Sequence, residues 1–398
     1  MLVIMQADVQ EDGEEVRAVQ EKALQYGLDP DVHCERGAKH QLVEVYLRDG
    51  ESTPSSAISD HVFEQLEGVA EVRRITPARV RLSANGAADA HHIKISETIT
   101  IGRGLPCQII AGPCTVDQHV DTIIKGLREH GVRMIRGGCW KPRSRAQAFR
   151  GHGETGLRWL LKSAREHGME AVFTEVVESH QIDVVRRVRD DIGYAGSIVL
   201  WVGARGIDNT MLLAKLGEQH DFLVMIKNGI HHYEVEEWYT QVEFVLAGHM
   251  HWLENGQLNA KASMEAGNNR ILLCVRGTKK LDKRSPFRFN PNHDWIRTVH
   301  DTSWAPVGVD PSHSAGTMKG NLVLDNLQAA LAYGPDFVLL EGGYPEKIRR
   351  EGLCDVEQSV PLERISEALA MINDHNKRRF GQQTGEQGMV DGGWPGGD

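Results

Sequence analysis

The chain is expected to be an α/β protein: a (β/α)8 TIM barrel preceded by a small ferredoxin-like α+β domain. Three observations predict this. From residue 108 onward, eight short apolar runs alternate with helical stretches, the pattern of a parallel sheet with crossover helices. The first 75 residues instead read β-α-β-β-α-β, the split βαβ order. A length of 398 residues accommodates both units, since a barrel takes about 250. An open doubly wound sheet is the alternative, disfavoured because no GxGxxG fingerprint follows a strand.

The elements follow in order. Leu2 to Met5 reads as a strand, and Gly13 to Tyr26 has helical spacing at Val16, Val19, Ala23 and Leu24. Strands at Asp31 to Cys34 and Gln41 to Leu47, a helix at Ser59 to Leu66 and a strand at Val69 to Ile75 complete a unit assigned to residues 1–85. Ser83 to Ala90 has linker composition, and residues 86–104 are read as linker plus a hairpin with Ile93, Ile95, Ile99 and Ile101 alternating. The barrel is placed at 105–376, with strands at 108–111, 133–136, 170–174, 197–202, 222–226, 270–275, 306–309 and 336–340. Helices are expected at 118–130, 154–167, 179–189, 209–216, 234–246, 322–333 and 362–373. Residues 252–269 read as an inserted loop and 377–398 as a disordered tail.

Bulk composition excludes several classes. A formal net charge of -10 with interspersed signs argues against a nucleic-acid partner, so any functional positive charge must be local. Six cysteines (Cys34, Cys107, Cys114, Cys139, Cys274, Cys354) form no CxxC pair, which suits a reducing compartment. The apolar run Met1 to Met5 is too short for a signal peptide, and no stretch reaches the ~18 apolar residues of a membrane span. A cytoplasmic protein without a membrane partner is expected.

A barrel binds its ligand at the C-terminal mouth of its strands, so the strand ends are the candidate site. They supply Cys114; Arg136, followed by Lys141-Pro142-Arg143-Ser144; Glu175; Ala204-Arg205; Lys227; Arg276; Asp310-Pro311-Ser312-His313; and Glu341. Arg136, Lys141, Arg143, Arg205, Lys227 and Arg276 would repel one another in a partly buried mouth, so they call for an anion. Arg forks and Lys point charges suit phosphate and carboxylate oxygens. Cys114, His313, Glu341 and Asp355 offer thiolate, imidazole and carboxylates, a set suited to Mn, Fe(II), Co or Zn. No compact motif ties these four together, so on residues alone a metal site and a plain core cysteine both stay open. The paired His91-His92, His231-His232 and His249 with His251 are expected to be exposed polar positions.

Taken together, Ala111-Gly112-Pro113-Cys114, Arg136-Gly137-Gly138, Lys141-Pro142-Arg143-Ser144, Gly151-His152-Gly153-Glu154-Thr155-Gly156-Leu157, Gly203-Ala204-Arg205, Lys227-Asn228-Gly229, Cys274-Val275-Arg276-Gly277 and Asp310-Pro311-Ser312-His313-Ser314 resemble 3-deoxy-D-arabino-heptulosonate 7-phosphate (DAHP) synthases. The similar group is the one related to KDO 8-phosphate synthases and bearing an N-terminal ferredoxin-like domain. The resemblance implies a metal-dependent transferase that condenses phosphoenolpyruvate with an aldose phosphate, D-erythrose 4-phosphate first, in the shikimate route to aromatic amino acids. It implies Cys114, His313, Glu341 and Asp355 as ligands of a divalent metal, manganese first, with iron, cobalt or zinc as alternatives. It places Arg136, Lys141, Glu175, Ala204, Arg205, Lys227 and Arg276 around phosphoenolpyruvate, with Arg205 and Arg276 on its phosphate, and Arg143 and Ser144 at the aldose phosphate. Lys141, Glu175 and His313 are the candidate catalytic groups. Family members that lack the metal have Asn at the Cys114 position. The resemblance further implies a homotetramer or homodimer and a possible aromatic amino-acid effector.

Several positions depart from the family pattern. Lys-Pro-Arg-Thr-Ser-Pro reads Lys141-Pro142-Arg143-Ser144-Arg145-Ala146, Cys-Glu-Arg-Gly reads Cys274-Val275-Arg276-Gly277, and Glu-Val-His reads Glu341-Gly342-Gly343. These changes sit on the acceptor side, so a paralogue using another aldehyde or sugar phosphate, KDO 8-phosphate synthase-like, is an alternative. A catalytically silent barrel that binds phosphorylated metabolites is the alternative from a different class.

Overall fold

The computed structural model describes residues 1–37, 41–50, 55, 58–73, 82, 91–143, 146–248, 267–280, 282–316, 322–353 and 356–381. The N-terminal unit contains β1 (Leu2–Met5), α1 (Glu14–Gln25), β2 (Asp29–Arg36), β3 (Gln41–Arg48), α2 (His61–Glu64) and β4 (Val69–Arg73). Its sheet order is β2-β3-β1-β4 with antiparallel pairs, the ferredoxin-like arrangement. Period-two alternation in β1 and β3 sends Val3, Met5, Val43, Val45 and Leu47 to one face, where Val16, Val19, Ala23 and Phe63 of the helices cover them.

A hairpin of β5 (Ile93–Lys94) and β6 (Thr100–Ile101) leads into the barrel. The barrel strands are β7 (Gln108–Gly112), β8 (Met134–Arg136), β9 (Ala171–Glu175), β10 (Ser197–Val202), β11 (Leu223–Lys227), β12 (Ile271–Val275), β13 (Val307–Val309) and β14 (Phe337–Glu341). They pair in parallel, each with its sequence neighbour, and β14 closes on β7. Each was legible as an unbroken apolar run because both faces of a barrel strand are covered. Alternate residues such as Ile110, Phe173, Trp201, Met225 and Leu339 fill the interior, and the four isoleucines of the hairpin segment plug its lower end. The other face packs under the helices in one continuous core.

The helices are α3 (Val120–Glu129), α4 (Gly153–Glu166), α5 (Gln181–Ile192), α6 (Thr210–Glu218), α7 (Val235–Ala247), α8 (Asp294–Thr302), α9 (Pro311–Ala315), α10 (Leu322–Leu331) and α11 (Ile365–Phe380). Three differ from the sequence expectation: α9, which was read only as the polar segment after a strand, α8 and α11. Helix α8 was not anticipated, although Trp295, Ile296, Val299 and His300 make one buried stripe. Helix α11 runs through the boundary expected at residue 377, because Lys377, Arg378 and Arg379 suit the negative end of a helix. Most of the expected inserted loop and residues 382–398 lie outside the described residues. Among the described residues, no helix is long and apolar enough to cross a membrane.

Candidate active site

The strand C-termini open on one cleft, lined by Arg136, Lys141, Arg143, Glu175, Trp201, Ala204, Arg205, Lys227, Arg276 and His313. Its wall next to β7 is set by backbone approach. A Cβ on Gly112 would meet the Arg136 carbonyl oxygen at 2.1 Å, so only glycine lets β7 and β8 close up where Cys114 and Arg136 emerge. After β10, Gly203 leaves room for the Glu175 carboxylate, whose Oε1 would lie 2.2 Å from a Cβ there.

Cys114, His313 and Glu341 meet on one side, with a donor atom from each within 4.8 Å of the others. His313 sits on the short helix α9, whose start is fixed by Pro311 and by Asp310, whose side chain accepts the His313 backbone N–H. The imidazole Nδ1 lies 2.7 Å from Asp310 Oδ2 and Nε2 lies 3.3 Å from Glu341 Oε1. Burial disfavours the imidazolium, but Asp310 and Glu341 outweigh it and raise the His313 pKa above its ordinary value. Glu341 ends β14. Gln358 Nε2 donates to its Oε2 at 2.8 Å, while Oε1, fully buried, receives no hydrogen bond. A buried carboxylate oxygen without a hydrogen bond, beside a thiol and an imidazole, fits a divalent cation. Asp355, the fourth expected ligand, lies outside the described residues.

The cations occupy the rest of the cleft. Arg136 is wholly buried, with Nη2 3.2 Å from Glu341 Oε1 and Nη1 3.9 Å from Asp310 Oδ2. None of its guanidinium nitrogens makes a hydrogen bond, which leaves donors for a ligand. Lys227 Nζ donates to Asp310 Oδ2 at 2.6 Å. Both cations lie over the Trp201 ring, at 5.1 and 5.3 Å from its centroid. Lys141 Nζ donates to Glu175 Oε2 at 3.1 Å and to the Cys114 carbonyl at 3.2 Å. Burial pushes the Glu175 carboxyl up, yet Lys141 and Lys227 more than offset it and keep it below the usual range.

Arg276 stacks on Phe289 at 4.2 Å and its Nη1 makes no hydrogen bond. Burial, with Arg205 and Arg288 as further like charges, pushes its pKa down to about 10 despite Asp310. Arg143 Nε donates to the Phe149 carbonyl at 2.8 Å, and Arg205 stands exposed at the rim. Ser144 lies outside the described residues. Six cations thus face the three carboxylates of Glu175, Asp310 and Glu341, leaving an excess of three positive charges for an anionic ligand.

Trp201 and Gln358 belong to this site and were not among the candidates, and Asp310 was named only as part of a strand-end segment, with no role of its own. Trp201 lies within an apolar run and reads as core.

His231 is exposed as expected, but His232 is 3 % exposed, a correction with a physical cause. Its Nδ1 accepts the Gly229 N–H at 3.1 Å, which draws the ring inward. Burial, and then His231, push its pKa down to about 4, so the ring is neutral with its proton on Nε2. Neither nitrogen then offers a lone pair, so Asp208, His231 and His232 do not make a second metal centre although their donor atoms lie within 4.8 Å. In the unfolded chain this histidine titrates near 6.5. Its stabilisation is therefore full above that pH and is lost as pH falls from about 6.5 towards 4, by up to about 3 kcal/mol. His232→Gln should flatten this limb in denaturant titrations between those pH values; an unchanged slope contradicts the assignment.

Residues 90–378 match the model of the DAHP synthetase I family. The chain is 28 % identical over 371 residues to a phospho-2-dehydro-3-deoxyheptonate aldolase of Thermotoga maritima, covering 93 % of this chain and 96 % of that one. It is 27 % identical to a 2-dehydro-3-deoxyphosphooctonate aldolase of Syntrophotalea carbinolica, covering 70 % and 93 % respectively. The crystal structure of phospho-2-dehydro-3-deoxyheptonate aldolase (DAHP synthase) from Thermotoga maritima superposes with a TM-score of 0.73 at 26 % identity, covering 94 % of this chain and 96 % of that one.

Proposed function

This chain belongs to the DAHP synthetase I family, and from that premise we propose that it condenses phosphoenolpyruvate with D-erythrose 4-phosphate, in a metal-dependent reaction, to give DAHP and inorganic phosphate. It is a transferase of the aldol type. The observation that carries the reading is the meeting, in one cleft, of six Arg and Lys side chains with a Cys114, His313 and Glu341 cluster.

Each residue then has a task. Arg205 and Arg276 bind the phosphate of phosphoenolpyruvate, and Arg136 and Lys227 its carboxylate, through the donors they turn to the cleft. Arg143 and Ser144 hold the phosphate of the acceptor. Cys114, His313, Glu341 and Asp355 would hold the divalent metal, manganese first, which supplies Lewis-acid polarisation of a carbonyl when bound. A carbon–carbon bond forms between C3 of phosphoenolpyruvate and the aldehyde carbon, and Lys141 gives a proton to the oxygen that becomes an alcohol. C2 is left electron-poor. Glu175, kept ionised by its lysines, takes a proton from the water that adds there. The resulting hemiketal phosphate expels inorganic phosphate, and the 3.1 Å contact between Glu175 and Lys141 returns the proton. Holding both anionic substrates in reacting geometry contributes several kcal/mol of barrier lowering.

A second reading has its own support: the departure from the family pattern at Ser144-Arg145-Ala146 and a relative named for a phosphooctonate product. It keeps the phosphoenolpyruvate half and exchanges the acceptor. Phosphate release from phosphoenolpyruvate should require an aldose phosphate and be fastest with erythrose 4-phosphate. Faster release with arabinose 5-phosphate would favour the second reading, and release without any aldose would contradict both. The proposal also includes a cytoplasmic homotetramer or homodimer, a division into residues 1–85, 86–104 and a barrel from 105 that closes with α11, and an aromatic amino-acid effector at the N-terminal domain.

A further inference from the structure

Resting on that reading, we propose that Asp310 is a positioning residue that joins the metal subsite to the phosphoenolpyruvate subsite. Its carboxylate is completely buried and its backbone is pinned, the N–H donating to the Val275 carbonyl at 2.7 Å. Oδ1 accepts the backbone N–H of His313 at 3.1 Å. Oδ2 accepts from two side chains at once, His313 Nδ1 at 2.7 Å and Lys227 Nζ at 2.6 Å. Arg136 Nη1 stands 3.9 Å from the same oxygen.

One oxygen therefore fixes groups on both sides of the cleft. The carboxylate at Nδ1 holds a proton on that nitrogen, so the nitrogen left to give up its proton to a metal is Nε2, which faces Glu341 at 3.3 Å. The bond to Lys227 holds its ammonium in the cleft beside Arg136, over Trp201. Asparagine fills the same volume but cannot replace this pattern. With its oxygen at the Oδ2 place, its NH2 faces the His313 backbone donor; flipped, its NH2 faces both Lys227 and His313 Nδ1–H.

The test uses full-length, metal-stripped protein and equilibrium dialysis of Mn2+ and, separately, of phosphoenolpyruvate. Asp310→Asn is expected to weaken Mn2+ binding by about 10- to 100-fold and to weaken phosphoenolpyruvate binding as well. Lys227→Met should weaken only phosphoenolpyruvate binding. A folded Asp310→Asn protein that binds both ligands as the wild type does overturns the inference. A wild-type protein that binds no divalent cation overturns the metal reading and this inference with it. If Asp310→Asn does not fold, 15N NMR of histidine-labelled wild-type protein with Zn2+ decides. A protonated Nδ1 on His313 supports the inference, and a proton on Nε2 overturns it.

Discussion

Lys141→Ala is expected to lower kcat for phosphate release by about 100- to 10,000-fold, the usual worth of a positioned proton donor. The lysine is 3.1 Å from Glu175 and 3.2 Å from the Cys114 carbonyl, so its ammonium is fixed between the carboxylate and the strand end that carries the thiol. Removal takes away the proton donor and also one of the two lysines that keep Glu175 ionised. Both losses act on the chemical steps. Lys141→Arg retains the charge but not a transferable proton, since guanidinium stays protonated at all working pH values, and it should remain nearly as slow. Steady-state assays with saturating substrates read the effect. A Lys141→Ala enzyme within a few-fold of the wild type would remove Lys141 from the chemistry.

Arg136→Met is expected to cost about 3–5 kcal/mol of folding stability, because it leaves Glu341 and Asp310 buried with one cation fewer. Those carboxylates also help hold the Arg136 charge, since their attraction outweighs its burial and raises its pKa. Methionine keeps an unbranched stem but not the guanidinium that lies 5.1 Å from the Trp201 centroid, so the loss is chiefly electrostatic. Denaturant unfolding without metal measures it. Divalent metal should recover part of the loss, because a cation at Cys114, His313 and Glu341 again faces Glu341. A destabilisation below about 1 kcal/mol would mean that these carboxylates do not depend on Arg136.

The barrel was legible because its strands are covered on both faces and so read as unbroken apolar runs, while Gly and polar residues mark each end. The strand ends then named the cleft, and the cations from Arg136 to Arg276 do line it. What could not be read was which charge pairs with which. Asp310 and His313 are close in sequence, but nothing in sequence spacing brings Lys227 to the same oxygen. Trp201 was hidden for the opposite reason, since an indole in an apolar strand reads as core until its neighbours are known. His232 was misjudged because one backbone N–H, that of Gly229, decides whether a histidine turns inward. Helix α8 is hidden because it is only nine residues long and its Thr298, Val299 and Thr302 are β-branched, which weakens the helical signal of its buried stripe.

Phosphate release from phosphoenolpyruvate and an aldose phosphate, before and after metal removal, tests the central claim most directly. The account predicts release that stops with a chelator and returns on adding Mn2+, with the same loss in Cys114→Ala that Mn2+ does not repair. Undiminished release by the chelated enzyme, with elemental analysis showing no bound metal, would contradict it.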